Sequence, residues 1–471
     1  MTISYKDIMK RKIVALILAA GKGTRMKSDL NKNLHMLRGK EIIRYVIDAA
    51  KVAGANDIAL IIGNDAEIMR ERLGEDYIYV YQHEQLGTGH AVMQAEDFIK
   101  NNIDSDIMIL LGDGPLITKE SLEKMLLAHQ DGADATLLTA VKENPFGYGR
   151  IIKSEEGHIE KIVEEKDASK EEKLVKEVWT GLSCYTGEAL LESIKKIDNK
   201  NAQKEYYLTD TVKYLSGVNK TVKAVYINDE KETLNINDRL ALSKAEKLLN
   251  QEYLEELMYS GVTIIDPLTT IIERDVKIGR DTTILPFTYL TGSSTIGMNC
   301  EVGPYTHLNN CEIGDNTTVN RSSLFSANIK NNATIGPYSY IRPNTVVENG
   351  AKVGQFVEVK NSIVGKNSKI PHLTYVGDTR IGERVNLGAG TIVVNYDGFN
   401  KYETIIEDDA FVGCNVNLVA PVRIGKGSLV AAGSTITKDV PSNALAIARS
   451  VQVNKDFWAK KRRDMRENLR K

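Results

Sequence analysis

The first half of the chain places charged side chains beside glycines, where they could bind phosphate and a metal ion. Residues 18–26 read Leu-Ala-Ala-Gly-Lys-Gly-Thr-Arg-Met, so Gly21 and Gly23 follow an apolar segment and Arg25 comes next. Such glycines let backbone N–H groups approach a phosphate chain, which an arginine can neutralise. Asp113, after a second apolar segment, is a candidate oxygen ligand for Mg²⁺. The alternative for two glycines alone is a tight turn that binds nothing.

The second half offers a candidate general base. His372 lies in the sequence Lys-Ile-Pro-His-Leu-Thr-Tyr, within a stretch dense in polar residues. Histidine is suited near neutral pH to take a proton from an amine. A surface histidine without such a role is the alternative. The four cysteines and seven histidines form no CxxC, HExxH or HxH pattern, which indicates neither a zinc site nor a disulfide framework.

The elements that must position these residues alternate through the first half. Apolar runs predict strands over 13–20, 58–62 and 107–111, and amphipathic runs predict helices over 41–53 and 91–99. This alternation predicts a mostly parallel sheet covered by helices on both faces, with ligands bound beyond the carboxyl ends of the strands. Both glycine-rich turns follow such an end.

The second half has a different periodicity. From about Thr263 an aliphatic residue recurs at every sixth position, with slips in frame, at Ile272, Ile278, Ile284, Leu290, Ile296, Val302, Leu308, Ile335, Ile341, Val347, Val353, Val359, Val364, Ile370, Val376, Ile381, Leu387, Val393, Val412, Leu418, Ile424, Val430 and Ile436. This repeat predicts a parallel β-helix, whose narrow core admits one residue in six. We expect loops at the breaks in period, with a functional excursion over 395–408.

Length and charge limit the remaining possibilities. The 471 residues predict two or three domains, and 61 basic against 63 acidic residues give a net charge of -2, which offers no global attraction for nucleic acid or an anionic membrane. The apolar run at 13–20 is too short to span a bilayer, and the charged residues before it lack the apolar core of a secretion signal. We therefore expect a cytoplasmic protein without membrane insertion.

Several motifs resemble those of a known family. The glycine loop with Lys32 after it resembles the LxxGxGTR signature of sugar-nucleotide pyrophosphorylases, and later segments at 82–91, 112–116, 147–151 and 205–210 follow in that family's order. With the hexapeptide repeats, nearly the whole chain resembles the bifunctional UDP-N-acetylglucosamine pyrophosphorylase/glucosamine-1-phosphate N-acetyltransferases. The resemblance implies an α/β chain with a Rossmann-like nucleotidyltransferase domain over 1–236, a linker helix over 237–259 and a left-handed β-helix acetyltransferase domain over 260–471.

The resemblance also implies two reactions. Acetyl-CoA acetylates the amine of glucosamine-1-phosphate, and UTP then transfers its uridylyl group to N-acetylglucosamine-1-phosphate with release of pyrophosphate. The second reaction needs charge neutralisation and in-line positioning. Mg²⁺ is the implied cofactor, acetyl-CoA and UTP are co-substrates, and a homotrimer is the implied assembly.

Site residues follow from the same resemblance. For uridylyl transfer, Arg25 and Lys32 are predicted to be catalytic and Asp113 and Asn237 to hold the metal, and UTP or the UDP-sugar is predicted to contact Leu18, Ala19, Gly21, Lys32, Gln82, Gly87, Thr88, Gly149, Glu164, Trp179 and Asn237. For acetyl transfer, His372 is the predicted base and Glu358 its orienting partner. The predicted sugar-phosphate contacts are Arg342, Lys360, Tyr375, Asn386 and Lys401, and the predicted acetyl-CoA contacts are Ala389, Asn395, Tyr396, Cys414, Ala432 and Arg449.

The chain departs from the family's pattern at several positions. Asn31 replaces a proline beside Lys32, Trp179 replaces a sugar-binding asparagine, Leu111 replaces a tyrosine, and Asn235 replaces a glycine. Two alternatives therefore stay open: an acetyltransferase whose nucleotidyl domain is altered or inactive, and a non-catalytic regulator of similar architecture. Cys414 stands where relatives have serine, and the basic tail at 460–471 is a candidate helix.

Overall fold

The computed structural model describes residues 11–63 and 65–469. The chain divides into two compact units, residues 1–249 and 250–471. This division falls inside the predicted linker, residues 237–259. The prediction about a secretion signal concerns residues that lie largely outside the described ones.

The first unit alternates strands and helices. Its main strands are β1 Ile13–Leu18, β2 Asp57–Ile62, β3 Ile78–Tyr81, β4 Asp106–Leu111, β5 Ala135–Val141, β6 Arg150–Lys153, β7 Ile159–Val163, β8 Glu177–Thr186 and β9 Val222–Tyr226. Its helices are α1 Ile42–Val52, α2 Ala66–Leu73, α3 Thr88–Gln94, α4 Glu96–Asn101, α5 Lys119–Gln130, α6 Gly187–Ile194, α7 Asp210–Gly217 and the start of α8 Arg239–Tyr259. A short hairpin, Met36–Leu37 with Lys40–Glu41, and 3₁₀ turns at Thr24–Met26, Lys32–Leu34, Glu172–Leu174 and Glu230–Thr233 complete it.

These strands form one mixed sheet in the order β9-β5-β8-β4-β1-β2-β3. Strands β1 to β4 are mutually parallel, as predicted, whereas β8 runs antiparallel to both β4 and β5. The hairpin β6-β7 joins the sheet through β8. The carboxyl ends of β1 and β4 are neighbours in this order, so the glycine loop and Asp113 meet at one edge of the sheet.

Strand alternation divides the core of this unit in two. On β1, Ile13, Ala15 and Ile17 pack with α1 and α5, whereas Val14 and Leu16 pack with α3, α6 and α7. Both sets are buried because each face of the sheet is covered by helices. The predicted helix over 91–99 is in fact two helices, since the chain leaves helical geometry at Ala95 (φ −90°, ψ 18°).

The second unit is a β-helix of three parallel sheets, in line with the predicted left-handed hexapeptide fold. The first face contains Thr263–Ile264, Thr283–Ile284, Glu301–Val302, Thr318–Val319, Thr334–Ile335, Lys352–Gln355, Lys369–His372, Asn386–Leu387, Phe411–Val412, Leu429–Val430 and Leu445–Ala446. The second face contains Ile271–Ile272, Tyr289–Thr291, His307–Asn309, Ser323–Phe325, Tyr340–Ile341, Glu358–Lys360, Tyr375–Gly377, Ile392–Val394, Asn417–Val419 and Thr435–Ile436. The third face contains Lys277–Ile278, Thr295–Ile296, Glu312–Ile313, Ala327–Ile329, Thr345–Val347, Ile363–Val364, Thr379–Ile381, Thr404–Ile406 and Val422–Ile424.

The predicted six-residue repeat supplies the core of this β-helix. Every aliphatic residue of the repeat joins one buried cluster, with Ile278 partly buried at its edge. Corner residues take left-handed backbone angles, as at Asn310 (φ 53°) and Asn361 (φ 44°), a conformation in which asparagine and aspartate are enriched. At other corners an asparagine side chain also accepts a backbone N–H from the adjacent coil, as Asn331 Oδ1 does from Asp315.

Two expectations about breaks in the repeat are corrected. Between Leu308 and Ile335 the coils continue without a loop, because corners shortened by one residue give buried positions at Ile313, Val319, Leu324 and Ile329. The excursion predicted over 395–408 ends at 403, since Thr404–Ile406 is already a strand of the third face.

One helix precedes the coils in the chain and another follows them. The second half of α8 packs Tyr253, Leu254 and Leu257 against the first coils. The basic tail forms α9, Trp458–Asn468, whose residues are all exposed. Arg470 and Lys471 lie outside the described residues. Within the described ranges, none of the helices combines the length and the apolar character that a membrane span requires.

Candidate functional site

The glycine loop after β1 lies against the aliphatic part of the Lys32 side chain. Gly23 has φ 58°, and a Cβ at this position would lie 2.9 Å from Lys32 Cβ. Gly21 faces Lys32 Cε, and Arg25 is exposed on the 3₁₀ turn that follows. Lysine and glycine loop therefore form one surface, to which the arginine adds a second positive charge.

Asn31 stands beside Lys32 where relatives have a proline, and it fixes the turn in another way. Its φ of −52° is close to the value that a proline ring imposes, and its side-chain oxygen accepts the backbone N–H of Asn33 at 3.0 Å. Its amide group also donates to Asp65 at 3.3 Å. The turn that carries Lys32 is thus held by hydrogen bonds where relatives use a ring.

Lys32, Asp113 and Asn237 meet at one point. The Lys32 ammonium group forms an ion pair with the Asp113 carboxylate and donates a hydrogen bond to Asn237 Oδ1 at 3.1 Å. The side chains of Lys32 and Asp113 are only 15% and 9% exposed. Residues 81 and 205 positions away from Lys32 are thereby brought together, as the resemblance implied.

Backbone contacts hold Asn237 opposite Asp113. The N–H of Ile236 donates to the Asp113 carbonyl at 2.8 Å. Asn235, found where relatives have glycine, places its side-chain oxygen 3.1 Å from where a Cβ on Gly114 would lie. The loop after β4 and the segment before α8 therefore fix the two oxygens relative to each other.

A carboxylate and an amide oxygen that converge on one cation fit Mg²⁺, which takes one or two protein carboxylates and completes its coordination with phosphate and water. In the part of the chain that the structure describes, no group of three or more His, Cys, Asp or Glu residues could hold a metal by itself. The donor set at Asp113 and Asn237 thus suits a cation shared with a phosphorylated ligand.

A cavity of about 270 Å³ opens beside this cluster. Residues predicted to contact the nucleotide or the metal line it, namely Leu18, Gly21, Lys32, Gln82, Gly87, Thr88 and Asp113. Five residues that were not predicted as contacts line it as well: Ala20, Gln85, Ala91, Leu111 and Glu205. Gln82 is buried, and its Nε2 donates to the Gly87 carbonyl at 3.2 Å. Ala19 is buried beneath the loop, where its carbonyl accepts from Asn33.

The segment after Gln82 is held by the loop that carries Tyr206. The Tyr206 N–H donates to the Leu86 carbonyl, the Tyr206 carbonyl accepts from Gly89, and Thr88 Oγ1 accepts the N–H of Leu208. Gly87 has φ 110°, and a Cβ there would lie 2.5 Å from the Tyr206 carbonyl oxygen. Glycine is therefore required at position 87.

Gly149 and Glu164, two of the predicted UDP-sugar contacts, which the family resemblance assigns to the sugar, lie together. A Cβ on Gly149 would be 3.8 Å from either carboxylate oxygen of Glu164. Thr209 Oγ1 donates to Glu164 at 3.2 Å, and burial raises the pKa of the Glu164 carboxyl above its ordinary value. Thr209 is a neighbour that the sequence prediction did not single out.

Trp179 occupies the core instead of presenting a free polar group. Its side chain joins the buried cluster around β1 and β8, and its indole N–H donates to the Leu182 carbonyl at 3.0 Å. Its backbone N–H donates to the Gly149 carbonyl, which fixes the predicted sugar-contact loop. Leu111, in place of tyrosine, packs against Gly181 and lines the cavity.

In the second unit, four predicted acetyl-transfer residues form a column at the corner between the first and second faces, which we call the acyl corner. The strand register of the first face aligns His372, Ala389, Cys414 and Ala432, one in each successive coil. Adjacent coils are about 4.8 Å apart. His372, Cys414 and Ala432 are exposed, and Arg449 extends its Cδ to 4.0 Å from where a Cβ on Gly433 would lie.

Three of the predicted sugar-phosphate residues, Arg342, Lys360 and Tyr375, lie in or directly after strands of the neighbouring second face. Arg342 Nη1 donates to Glu358 Oε1 at 2.9 Å, so the Glu358 carboxylate pairs with Arg342. That Glu358 orients His372 stays a prediction. Tyr375 follows Glu358 one coil later. Asn386 lies on the first face, in register with Lys369.

Asp378 contacts several side chains around the predicted sugar-phosphate residues, although the sequence did not predict a role for it. Its carboxylate accepts hydrogen bonds from the side-chain amides of Asn361 and Asn395, and Lys360 Nζ lies 3.8 Å away. Burial alone would raise the pKa of Asp378, but these hydrogen bonds and the charges of Lys360 and Lys401 outweigh burial and lower it. Asp378 lies at a corner with a left-handed φ of 51°, which aspartate tolerates, so in the sequence its only signal is an aspartate between repeat positions.

Two lysines meet beside Asp378. The nearby ammonium group of Lys401 lowers the pKa of Lys360, and loss of solvation adds to the effect. Lys401 reaches this place through the excursion, where it pairs in antiparallel fashion with Tyr396. The Tyr396 hydroxyl donates to the Gly398 carbonyl at 2.6 Å and so closes the loop on itself. The arrangement concentrates positive charge where a phosphate could bind.

Known proteins resemble this chain over both of its units. The nucleotidyl transferase family matches residues 14–232, and the bacterial transferase hexapeptide family (six repeats) matches residues 275–310, 326–361 and 403–438. The chain is 48% identical to the bifunctional protein GlmU of Halalkalibacterium halodurans over 95% of this chain and 98% of that protein. It is 49% identical to the bifunctional protein GlmU of Bacillus velezensis over 95% and 98%, and 48% identical to that of Caldanaerobacter subterraneus subsp. tengcongensis over 96% and 98%.

Proposed function

This chain belongs to the family of bifunctional GlmU proteins, and we propose that its two units catalyse successive steps of UDP-N-acetylglucosamine synthesis. The second unit acetylates glucosamine-1-phosphate, and the first unit transfers a uridylyl group to the product. The observation that supports this assignment most directly is the presence of two separate groups of residues, each with the chemistry that one step needs.

Acetyl transfer takes place at the acyl corner. The amine of glucosamine-1-phosphate attacks the thioester carbonyl of acetyl-CoA and forms a C–N bond, while His372 accepts the proton that the nitrogen loses. The C–S bond then breaks, and CoA leaves as a thiolate that takes up a proton to become the thiol. Ala389, Cys414 and Ala432 present small side chains along one column, which leaves room for the extended acyl donor. Asn395, Tyr396 and Arg449 complete the contacts proposed for acetyl-CoA.

The sugar phosphate binds on the second face beside that corner. Arg342, Lys360 and Lys401 supply positive charge for the phosphate, while Tyr375 and Asn386 contact the sugar. Charge-assisted hydrogen bonds of this kind fix both the position and the orientation of a phosphate. Asp378 keeps the two lysines close despite their mutual repulsion.

Uridylyl transfer takes place beside the glycine loop. A phosphate oxygen of N-acetylglucosamine-1-phosphate attacks the α-phosphorus of UTP, and pyrophosphate leaves. Arg25, Lys32 and the N–H groups around Gly21 neutralise and orient the phosphates, and Leu18 and Ala19 border them. Mg²⁺ held by Asp113 and Asn237, when bound, would supply further neutralisation of phosphate charge.

Base and sugar recognition fall to neighbouring segments. Gln82, Gly87 and Thr88 contact uracil, and their fixed backbone limits the base that fits. Gly149 and Glu164 contact the sugar, with Trp179 behind them as a packing residue. A cytoplasmic location and a homotrimeric assembly complete the proposal.

The test uses the purified full chain with Mg²⁺. Thiol release from acetyl-CoA and glucosamine-1-phosphate is measured in one assay, and pyrophosphate release from UTP and N-acetylglucosamine-1-phosphate in another. We expect both activities in the wild type. Thiol release without pyrophosphate release would instead favour an acetyltransferase whose first unit has changed substrate or become inactive.

Two substitutions assign the reactions to their sites. His372→Ala should abolish acetyl transfer and leave uridylyl transfer intact, and Asp113→Ala should do the reverse. Loss of both activities in either variant would contradict the proposal of two separate sites, provided that circular dichroism shows the variant to be folded.

A further inference from the structure

The position of the Lys32 ammonium group has a further consequence, which rests on the uridylyl transfer and metal site proposed above. The ammonium group lies between the Asp113 carboxylate and Asn237 Oδ1, the two oxygens assigned to the metal. A divalent cation bound to both oxygens would need the space that the ammonium group fills. The lysine and the metal therefore compete for one position.

The surroundings allow only the tip of Lys32 to move. Its backbone belongs to the 3₁₀ turn capped by Asn31, and its Cβ packs against Gly23. Even a Cβ placed on Gly21 would lie 3.9 Å from Lys32 Cε, an ordinary van der Waals separation, so Gly21 does not confine the end of the side chain. The terminal carbons can thus rotate away from Asp113 toward the phosphate-binding loop while the rest of the side chain stays in place.

The charges also favour an exchange. Asp113 carries one negative charge and Asn237 carries none. The Lys32 ammonium group therefore neutralises the charge of the buried Asp113 carboxylate. A buried carboxylate without a partner is costly, which gives the lysine a role whenever the metal is absent. Once a metal takes over Asp113, the displaced ammonium group needs another anion, and a triphosphate beside Gly21 supplies one.

We propose that Lys32 occupies the metal position in the ligand-free protein, and that its displacement links metal binding to triphosphate binding. Without a triphosphate, a metal must break the ion pair and leave the ammonium group without a partner, so it binds weakly. With a triphosphate, the same ammonium group gains phosphate oxygens. The lysine thereby discourages occupation of the site by metal alone.

Mn²⁺ binding to the full chain without nucleotide tests this inference. The electron paramagnetic resonance signal of free Mn²⁺ gives the dissociation constant directly and does not depend on turnover. Lys32→Met removes the competing ammonium group, and we expect Mn²⁺ to bind at least fivefold more tightly than in the wild type. Unchanged or weaker binding by a folded Lys32→Met variant would overturn the proposal.

Matched variants separate the possible causes. Lys119→Met removes the same charge from a surface ion pair with Glu123, 3.4 Å apart, and should leave the dissociation constant unchanged. Asp113→Asn should weaken Mn²⁺ binding at least tenfold. If Asp113→Asn binds Mn²⁺ like the wild type, the metal site itself is misassigned. If Asp113→Asn weakens Mn²⁺ binding but Lys32→Met does not tighten it, the metal site stands and the proposed competition with Lys32 is refuted. Lys32→Gln replaces Lys32→Met if the latter does not fold.

Discussion

Among the single residues of the first unit, Glu164 combines a predicted sugar contact with an unfavourable environment. Burial raises the pKa of its carboxyl, so the folded chain disfavours the ionised form. The carboxyl therefore lowers the stability of the fold above its folded-state pKa. This penalty disappears as the pH falls below the ordinary value of 4.5, where the group is protonated in both the folded and unfolded states.

Glu164→Gln should remove this penalty. The glutamine oxygen can still accept the Thr209 hydroxyl, but it carries no charge. We expect the unfolding midpoint at pH 8 to rise by roughly 2–4 °C, the effect of about 1 kcal/mol in a domain of this size, and the gain to vanish near pH 4.5. Thermal unfolding between pH 4 and pH 8 measures it, with the exposed Glu160→Gln as control. An equal gain at both ends of the range would contradict the explanation.

Asp378 permits a second prediction at this scale. Asp378→Asn keeps the size of the side chain and suits the left-handed corner, but it removes the charge that holds Lys360 and Lys401 together. We expect kcat/KM for acetyl transfer to fall roughly tenfold or more, equivalent to about 1.4 kcal/mol. Steady-state kinetics with glucosamine-1-phosphate as the varied substrate measure the change.

Two comparisons make the Asp378 prediction specific. Uridylyl transfer by the same variant should not change. Asp409→Asn breaks an exposed ion pair with Arg384, 2.7 Å apart, and should leave both activities intact. If Asp378→Asn retained full acetyl transfer, the carboxylate would be a corner residue only.

Among the structural elements, the acyl corner gives the clearest test. Ala432→Leu adds a bulky side chain to the column three coils above His372, in the space proposed for acetyl-CoA. We expect KM for acetyl-CoA to rise at least tenfold while KM for glucosamine-1-phosphate stays within twofold. Lys366→Leu places the same side chain at the corner between the third and first faces and should change neither constant. An equal rise in both KM values for Ala432→Leu would indicate general distortion of the coils.

The sequence predicts the elements of the second unit better than those of the first. The aliphatic positions that the six-residue repeat predicts all belong to the core of the β-helix, because only one residue per side can point into so narrow a core. It misreads the stretch from Leu308 to Ile335, because shortened corners keep the coils but break the spacing. In the first unit, apolar runs identify β1, β2 and β4, yet the antiparallel direction of β8 depends on long-range pairing that leaves no local signal.

The candidate sites were predictable only where a motif existed. The glycine loop and the histidine segment carry recognisable spacing, so their residues could be named. The contact between Lys32 and Asn237 joins residues 205 positions apart. Asp378 looks in sequence like one more polar corner residue. The effect of Asn31 and Trp179 was also undecidable beforehand, because each substitution is accommodated by a hydrogen bond that only the folded chain reveals.

For the molecule as a whole, the two sites differ in how much of their surroundings one chain provides. The first site lies beside a cavity between loops of a single unit. The acyl corner is convex, and His372, Cys414 and Ala432 are exposed along it. A long acyl donor on a convex edge lacks a second wall, which a neighbouring copy could supply, as in symmetric oligomers with shared sites.

The proposed homotrimer therefore predicts that dilution affects the two activities differently. Acetyl transfer per chain should fall once the protein concentration drops below the dissociation constant of the assembly, whereas uridylyl transfer per chain should stay constant because each chain contains that site entirely. Both rates are measured over the same dilution series, with the mass followed by analytical ultracentrifugation. Acetyl transfer that persists at full rate in a species of monomer mass would show that one β-helix is sufficient and remove the physical argument for a shared site.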